Sequence, residues 1–105
     1  MDQFVSLNTL PLKEIFKGGF VSSIQTENLT ISYSHLKAGT EIPIHQHPEE
    51  AIDILLSGLL EMKIGNSTDT LSGGMISIVP SNIPHKAKAV VDCKVLTIFF
   101  PQRNL

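Results

Sequence analysis

Apolar residues in this chain fall in short runs, and within most of them apolar and polar positions alternate instead of recurring every three or four residues. Alternation places successive side chains on opposite faces of an extended strand, whereas the wider spacing would build a helical stripe. The runs are rich in Val, Ile, Leu, Phe and Thr and are punctuated by Gly, Pro, Asn and Asp. They predict strands at Phe20–Ile24, Leu29–Leu36, Glu41–His45, Ala51–Leu56, Leu59–Ile64, Thr68–Leu71, Met75–Val79, His85–Ala89 and Lys94–Phe100. The breaks between them, such as "KAGT", "HPEE", "SG" and "PSNIP", are all short. Many short strands joined by turns make an all-β sandwich or barrel.

With 105 residues the chain has room for one domain, 1–105, and no internal repeat or linker divides it. Only the first dozen residues, 1–12, lack a place in the strand pattern. They read as an N-terminal arm, which a small barrel can use to cover an edge strand across a two-fold axis, so a homodimer is expected. Hydrophobic residues make up 42% and charged residues 17%, a composition that supports a packed core.

A formal charge of −2 gives no basis for binding nucleic acid, and Lys86 and Lys88 read as a solvated strand face. No run approaches the length of a membrane span and no secretory leader stands out, so no membrane partner is expected and the cytoplasm is the expected location. The single cysteine, Cys93, cannot close an internal disulfide and reads as a small buried hydrophobe.

Chemistry concentrates in "GTEIPIHQHPEEAIDILLSG", residues 39–58. His45 and His47 are two apart, so on a strand they share a face, and paired neutral imidazoles are half of a coordination sphere for a first-row divalent ion. Alone, this pair is a weak signal. Gly39 stands six positions before His45, Gly58 closes the following hairpin, and "GMISIVPSNIPH" adds Gly74, Pro80 and His85. The two blocks together resemble the paired motifs of the cupin family, over roughly Thr30 to Pro101.

The resemblance implies a single-domain cupin, a double-stranded β-helix or jelly-roll barrel, with His45, His47 and His85 converging on one metal (Zn, Ni, Mn or Fe) beside a cavity for a small molecule. Two departures stand out. Ala51 falls where the family places a further ligand and has no donor atom, and Asn82 replaces a turn glycine, a position where asparagine tolerates left-handed backbone. Asp53 interrupts the apolar "AIDILL" and shares the inward face with Ala51, while Glu50 and Ile52 face away. A buried carboxylate needs a partner, so Asp53 is either a candidate catalytic group at the metal or paired structurally. His35 reads as an ordinary strand residue.

The chain is also similar to the small cupins grouped with the uronate-linearising enzymes of pectin degradation. His45, His47, Pro48, Glu50, His85, Phe99, Pro101 and Arg103 match their pattern, which would give Phe99 and Arg103 substrate-binding roles. Ala51 replaces the ligand glutamine of that branch and Thr97 its catalytic aspartate. Three functions stay open: an isomerase-like or lyase-like enzyme acting on a small oxygen-rich molecule such as a sugar acid, a three-histidine metal dioxygenase, and a non-catalytic sugar-binding or sensor module.

Overall fold

The computed structural model describes residues 3–105, and the alternation pattern is realised as ten strands. They are β1 (Lys13–Phe16), β2 (Gly19–Gln25), β3 (Thr30–Leu36), β4 (Glu41–His45), β5 (Glu50–Ser57), β6 (Leu59–Ile64), β7 (Ser67–Ser72), β8 (Ile76–Val79), β9 (His85–Ala89) and β10 (Cys93–Phe100). All the strands expected from the sequence are present, with ends that move by at most one residue. The addition is β1, a four-residue edge strand whose residues are all exposed, so no buried face had marked it in the pattern. It pairs with β2 of its own chain. Of the expected arm, Met1 and Asp2 lie outside the described residues, and 7–9 form a 3-10 turn.

Two antiparallel sheets form the barrel, one ordered β1-β2-β3-β10-β5-β8 and the other β4-β9-β6-β7. Their inner faces meet in a core of Leu36, Leu55, Leu60, Leu71, Val79, Ala89, Cys93 and Val95, all buried. Cross-strand pairing on the larger sheet sorts the interior into rows. One row is apolar, with Val95 opposite Leu55; the next is polar, with Ser32, Thr97, Asp53 and Ser77 side by side on β3, β10, β5 and β8. The third holds Thr30, Phe99, Ala51 and Val79. The polar row therefore lies between two rows that carry core residues.

Gly58 shows how tightly the core is packed. Its φ of +109° is a conformation that favours glycine, and an added Cβ would lie 2.5 Å from the Asp92 carbonyl oxygen and 2.7 Å from Cys93 Sγ. Cys93 is buried as expected, and burial pushes its thiol above the ordinary value.

Candidate metal centre

His45 ends β4 and lies directly opposite His85, the first residue of β9. Strict alternation along β4 from Ile42, which lines the interior, would turn Ile44 inward and His45 outward. The pairing register slips between Ile42 and His45, however, and this bulge reverses the order: Ile44 is 65% exposed and His45 lines the cavity. Pro43 within the bulge has no N–H to lose from the ladder. His47 follows two residues on and is buried.

The loop before His85 is tied to the loop after His47. Asn82, at φ 60°, donates its N–H to the His47 carbonyl at 2.8 Å, and Ser81 Oγ donates to the Pro48 carbonyl at 2.6 Å. The asparagine thus occupies the left-handed position expected from its place in the second motif. Imidazole centroids are 4.2 Å apart for His45 and His85, 4.8 Å for His47 and His85, and 5.5 Å for His45 and His47. One ring nitrogen from each of the three lies within 4.8 Å of the others.

Hydrogen bonds fix which nitrogens are free. His45 Nδ1 faces the Pro43 carbonyl at 2.9 Å, His47 Nδ1 the Glu49 carbonyl at 2.9 Å, and His85 Nδ1 the Ile83 carbonyl at 2.8 Å. A carbonyl only accepts, so each Nδ1 carries the proton and each Nε2 presents a bare lone pair. Among the described residues no donor meets any of these Nε2 atoms. Three clustered lone pairs, each ring oriented by a backbone carbonyl on its other nitrogen, could hold a divalent cation. Burial, and then the neighbouring His45 and His47, hold His85 below the ordinary imidazole value, which favours the neutral, ligating form.

A cavity of about 190 Å³ opens beside this cluster. Asp53 lines it, one row deeper than Ala51. Its Oδ1 accepts from Thr97 Oγ1 at 2.7 Å and its Oδ2 from Ser77 Oγ at 3.0 Å. The carboxylate expected to need a partner has two hydroxyl donors, supplied by its registered neighbours on the flanking strands. Ala51 is buried, as its place on the inward face requires, and adds no donor to the cluster.

Phe99 and Arg103 also line the cavity, but Arg103 is already engaged. Its Nη1 lies 2.8 Å from Glu49 Oε1, and its guanidinium lies 5.7 Å from the centre of the Phe99 ring. Phe99 in turn meets His47 edge-on, with centroids 5.7 Å apart. Burial alone would raise the Glu49 carboxyl, but Arg103 and a backbone hydrogen bond outweigh it and hold the group below the usual carboxylate value. His47, Glu49, Arg103 and Phe99 are therefore one connected assembly. Sequence reasoning missed Glu49 and Ser77. No local pattern marked them, because their partners Arg103 and Asp53 lie far off in the chain. His35 faces away from the cavity, within 3.0 Å of the Tyr33 hydroxyl.

Comparison with known proteins decides the family: a family profile described as a cupin domain matches residues 32–99. The chain is a cupin. This cupin is 30% identical over 87 residues to a Bacillus subtilis protein named H2HPP isomerase, an alignment that covers 71% of this chain and 37% of that protein. Its fold is shared with an RmlC-like cupin from Shewanella frigidimarina (TM-score 0.91, 17% identity, 99% of this chain and 95% of the other). KdgF from Halomonas sp. matches equally well (TM-score 0.91, 21% identity, 99% and 97%). The jelly-roll barrel is thus the architecture of that family. No helix among the described residues is long and apolar enough to cross a membrane.

Proposed function

We propose that this cupin holds a divalent metal on His45, His47 and His85 and acts as an isomerase-like or lyase-like enzyme on a small oxygen-rich molecule, with a sugar acid as the first class to test. The observation that carries this reading is the set of three bare Nε2 atoms sharing one cavity with the Asp53 carboxylate. When bound, the metal would supply Lewis acidity toward a carbonyl or hydroxyl oxygen. Zn, Ni, Mn and Fe all accept imidazole ligands.

Asp53 is the group to receive a proton from the ligand. Thr97 and Ser77 act as positioning residues, since each donates to one carboxylate oxygen and so fixes the plane of the group. Phe99 forms part of the wall, and the Arg103 guanidinium keeps donors free after its contact with Glu49 to receive an anionic oxygen. The hydroxyls and Asp53 sit on the larger sheet, while the facing wall includes Ile42, Leu60, Met62 and Ala87. Such a site favours a ligand with its oxygens gathered along one edge, because hydroxyls pressed on the apolar wall would lose hydration without compensation. The isomerase name of the Bacillus subtilis relative supports proton-shifting chemistry.

The dioxygenase reading draws on Ala51, since three histidines without a fourth protein ligand leave positions for O₂. Oxygen uptake during turnover would favour it over an isomerase. We also read the protein as a cytoplasmic homodimer.

Elemental analysis and deuterium exchange test the proposal. The wild type should carry close to one divalent ion per chain and His85→Ala well below that, with the β circular-dichroism spectrum intact. In D₂O the wild type should exchange a carbon-bound proton of a sugar acid or 2-oxo acid from a test panel, and Asp53→Asn should keep its metal and lose the exchange. Undiminished metal in His85→Ala, or undiminished exchange in Asp53→Asn, would sink the assignment. Metal without any turnover would leave the binding module as the correct reading.

A further inference from the structure

β1 is the edge strand of the larger sheet and β4 that of the smaller, and the two do not pair. Two consecutive residues of β1 turn toward the cavity at this side of the barrel. Strict alternation would send only one of Ile15 and Phe16 inward. The register with β2 shifts between Glu14 and Phe16, however, and both residues line the cavity. The Phe16 ring rests on Gly19, where an added Cβ would clash with it, so the glycine makes a seat for the ring. Behind the seat the hairpin tip is pinned: the Gly18 carbonyl accepts the Lys37 N–H at 2.9 Å, and Gly18, at φ +83°, backs onto the Thr40 side chain.

Phe16, Ile42 and His45 line two spaces at once, the cavity of about 190 Å³ and an outer groove of about 350 Å³ that Lys17 and Glu41 border. The Phe16 ring and Ile42 thus stand between them. Polarity falls away across the larger sheet toward this side. Asp53, Thr97, Ser32 and Ser34 line the cavity from β5, β10 and β3, whereas β2 and β1 contribute only Val21, Ile15 and Phe16. We propose that the cavity selects an acid whose oxygens are confined to one end and whose other end is a hydrocarbon ring or branched chain, with Phe16 as the specificity-determining residue that receives it. This rests on the metal-dependent reading above and narrows its oxygen-rich class: the oxygens meet the histidines and Asp53, and the hydrocarbon end lies between Phe16 and Ile42. A cavity of about 150 Å³ is enough to hold benzene, so this one takes a single ring with a short polar head, and a longer tail passes Phe16 into the outer groove. A sugar acid, with a hydroxyl on nearly every carbon, would press hydroxyls on Phe16 and Ile42 without partners.

Isothermal titration calorimetry on the full chain as purified, with its metal content measured alongside, tests this. The probes are 2-oxo acids of one head and different tails, namely pyruvate, 4-methyl-2-oxopentanoate and 3-cyclohexyl-2-oxopropanoate, beside glucuronate. Each methylene buried on this wall is worth about fourfold in affinity, so the cyclohexyl acid should bind at least about thirtyfold more tightly than pyruvate, and glucuronate no more tightly than pyruvate. Phe16→Ala should weaken the cyclohexyl acid about tenfold and leave pyruvate within about twofold, and Phe16→Leu should recover most of the loss. Phe16 is 37% exposed, so the fold does not depend on it. Gly19→Ala, which displaces the ring without shortening it, should act like Phe16→Ala and provides a second route to the same answer. A cyclohexyl acid that binds no better than pyruvate, tighter binding of glucuronate, or a tail preference that both variants leave unchanged would overturn the proposal. 3-Cyclohexylpropanoate, which has no carbonyl for a metal, separates the tail site from the metal centre. Phe16-dependent binding of it to protein without metal would uphold the tail site and refute the metal centre, whereas metal-dependent binding of pyruvate with no tail preference would do the reverse.

Discussion

Thr97→Val removes one hydroxyl and nearly preserves the shape of the side chain, so it isolates the hydrogen bond to Asp53. That bond is 2.7 Å long and ends on one carboxylate oxygen, while Ser77 holds the other at 3.0 Å. A hydrogen bond to a charged group contributes about 1.5–3 kcal/mol to stability. Asp53 is only partly buried, so water can replace some of the lost contact and the lower part of that range applies, about 1.5–2 kcal/mol. For a domain of this size that corresponds to a melting temperature lower by about 5–15 °C. Urea unfolding of metal-free protein, followed by circular dichroism, measures the loss directly. In an Asp53→Asn background the acceptor is neutral and the same substitution should cost about 1 kcal/mol less, which a double-mutant cycle reads as coupling. A Thr97→Val cost under about 0.5 kcal/mol, or strict additivity with Asp53→Asn, would show that the hydroxyl does not hold a carboxylate.

Two further outcomes follow from particular contacts. Ala51→Gln should tighten metal binding about tenfold or more, since even changes to groups that only orient a ligand alter affinity by about 10–100-fold; competition with a chelator measures it, and unchanged affinity would mean that residue 51 faces away from the ion. Gly58→Ala should destabilise by about 3 kcal/mol or more, because left-handed strain adds to a clash with the Asp92 carbonyl oxygen, which cannot move aside as a flexible side chain would; a urea midpoint equal to wild type would contradict the close approach.

The strands were legible because burial of one face imposes period-two alternation on most of them, while β4, with no buried residue, was marked by its place in the first motif. β1 has none, and no local pattern distinguished "KEIF" from a loop. Two features of the site were legible for different reasons. His85 and Asn82 are set by spacing within a turn, which sequence records directly. Asp53 is set by alternation from Ala51, and β5 carries no irregularity between Glu50 and Leu55 that would invert it. His45 shows the limit of this method: its inward orientation depends on a bulge at Pro43 and Ile44, and alternation extended from Ile42 would have placed it outside. The contacts of Glu49 and Ser77 were illegible for a related reason. Glu49 pairs with Arg103 across 54 positions and Ser77 meets Asp53 across 24, contacts that only the strand order β10-β5-β8 creates.

That strand order also limits the chemistry the cavity can perform. The space over Ala51 and the carboxylate of Asp53 are one two-residue repeat apart, about 7 Å. Allowing about 2.8 Å for a hydrogen bond to the carboxylate, roughly 4 Å remains between an atom over Ala51 and the hydrogen-bearing atom that Asp53 would meet. Three or four covalent bonds span that distance. A ligand with an oxygen over Ala51 therefore presents to Asp53 a hydrogen on a nearby atom, not one at the far end of a long chain. Three neutral imidazoles would leave the charge of a bound divalent ion uncompensated, and Asp53, at that range and with an effective dielectric constant near 20, would contribute about 5 kcal/mol and still leave a net positive charge. An anionic or readily enolised oxygen is then the preferred occupant of the position that Ala51 leaves without a protein ligand. On the proposed reading, with Asp53 three or four bonds from that oxygen, the reaction to test first is a proton shift on a carbon near a carbonyl.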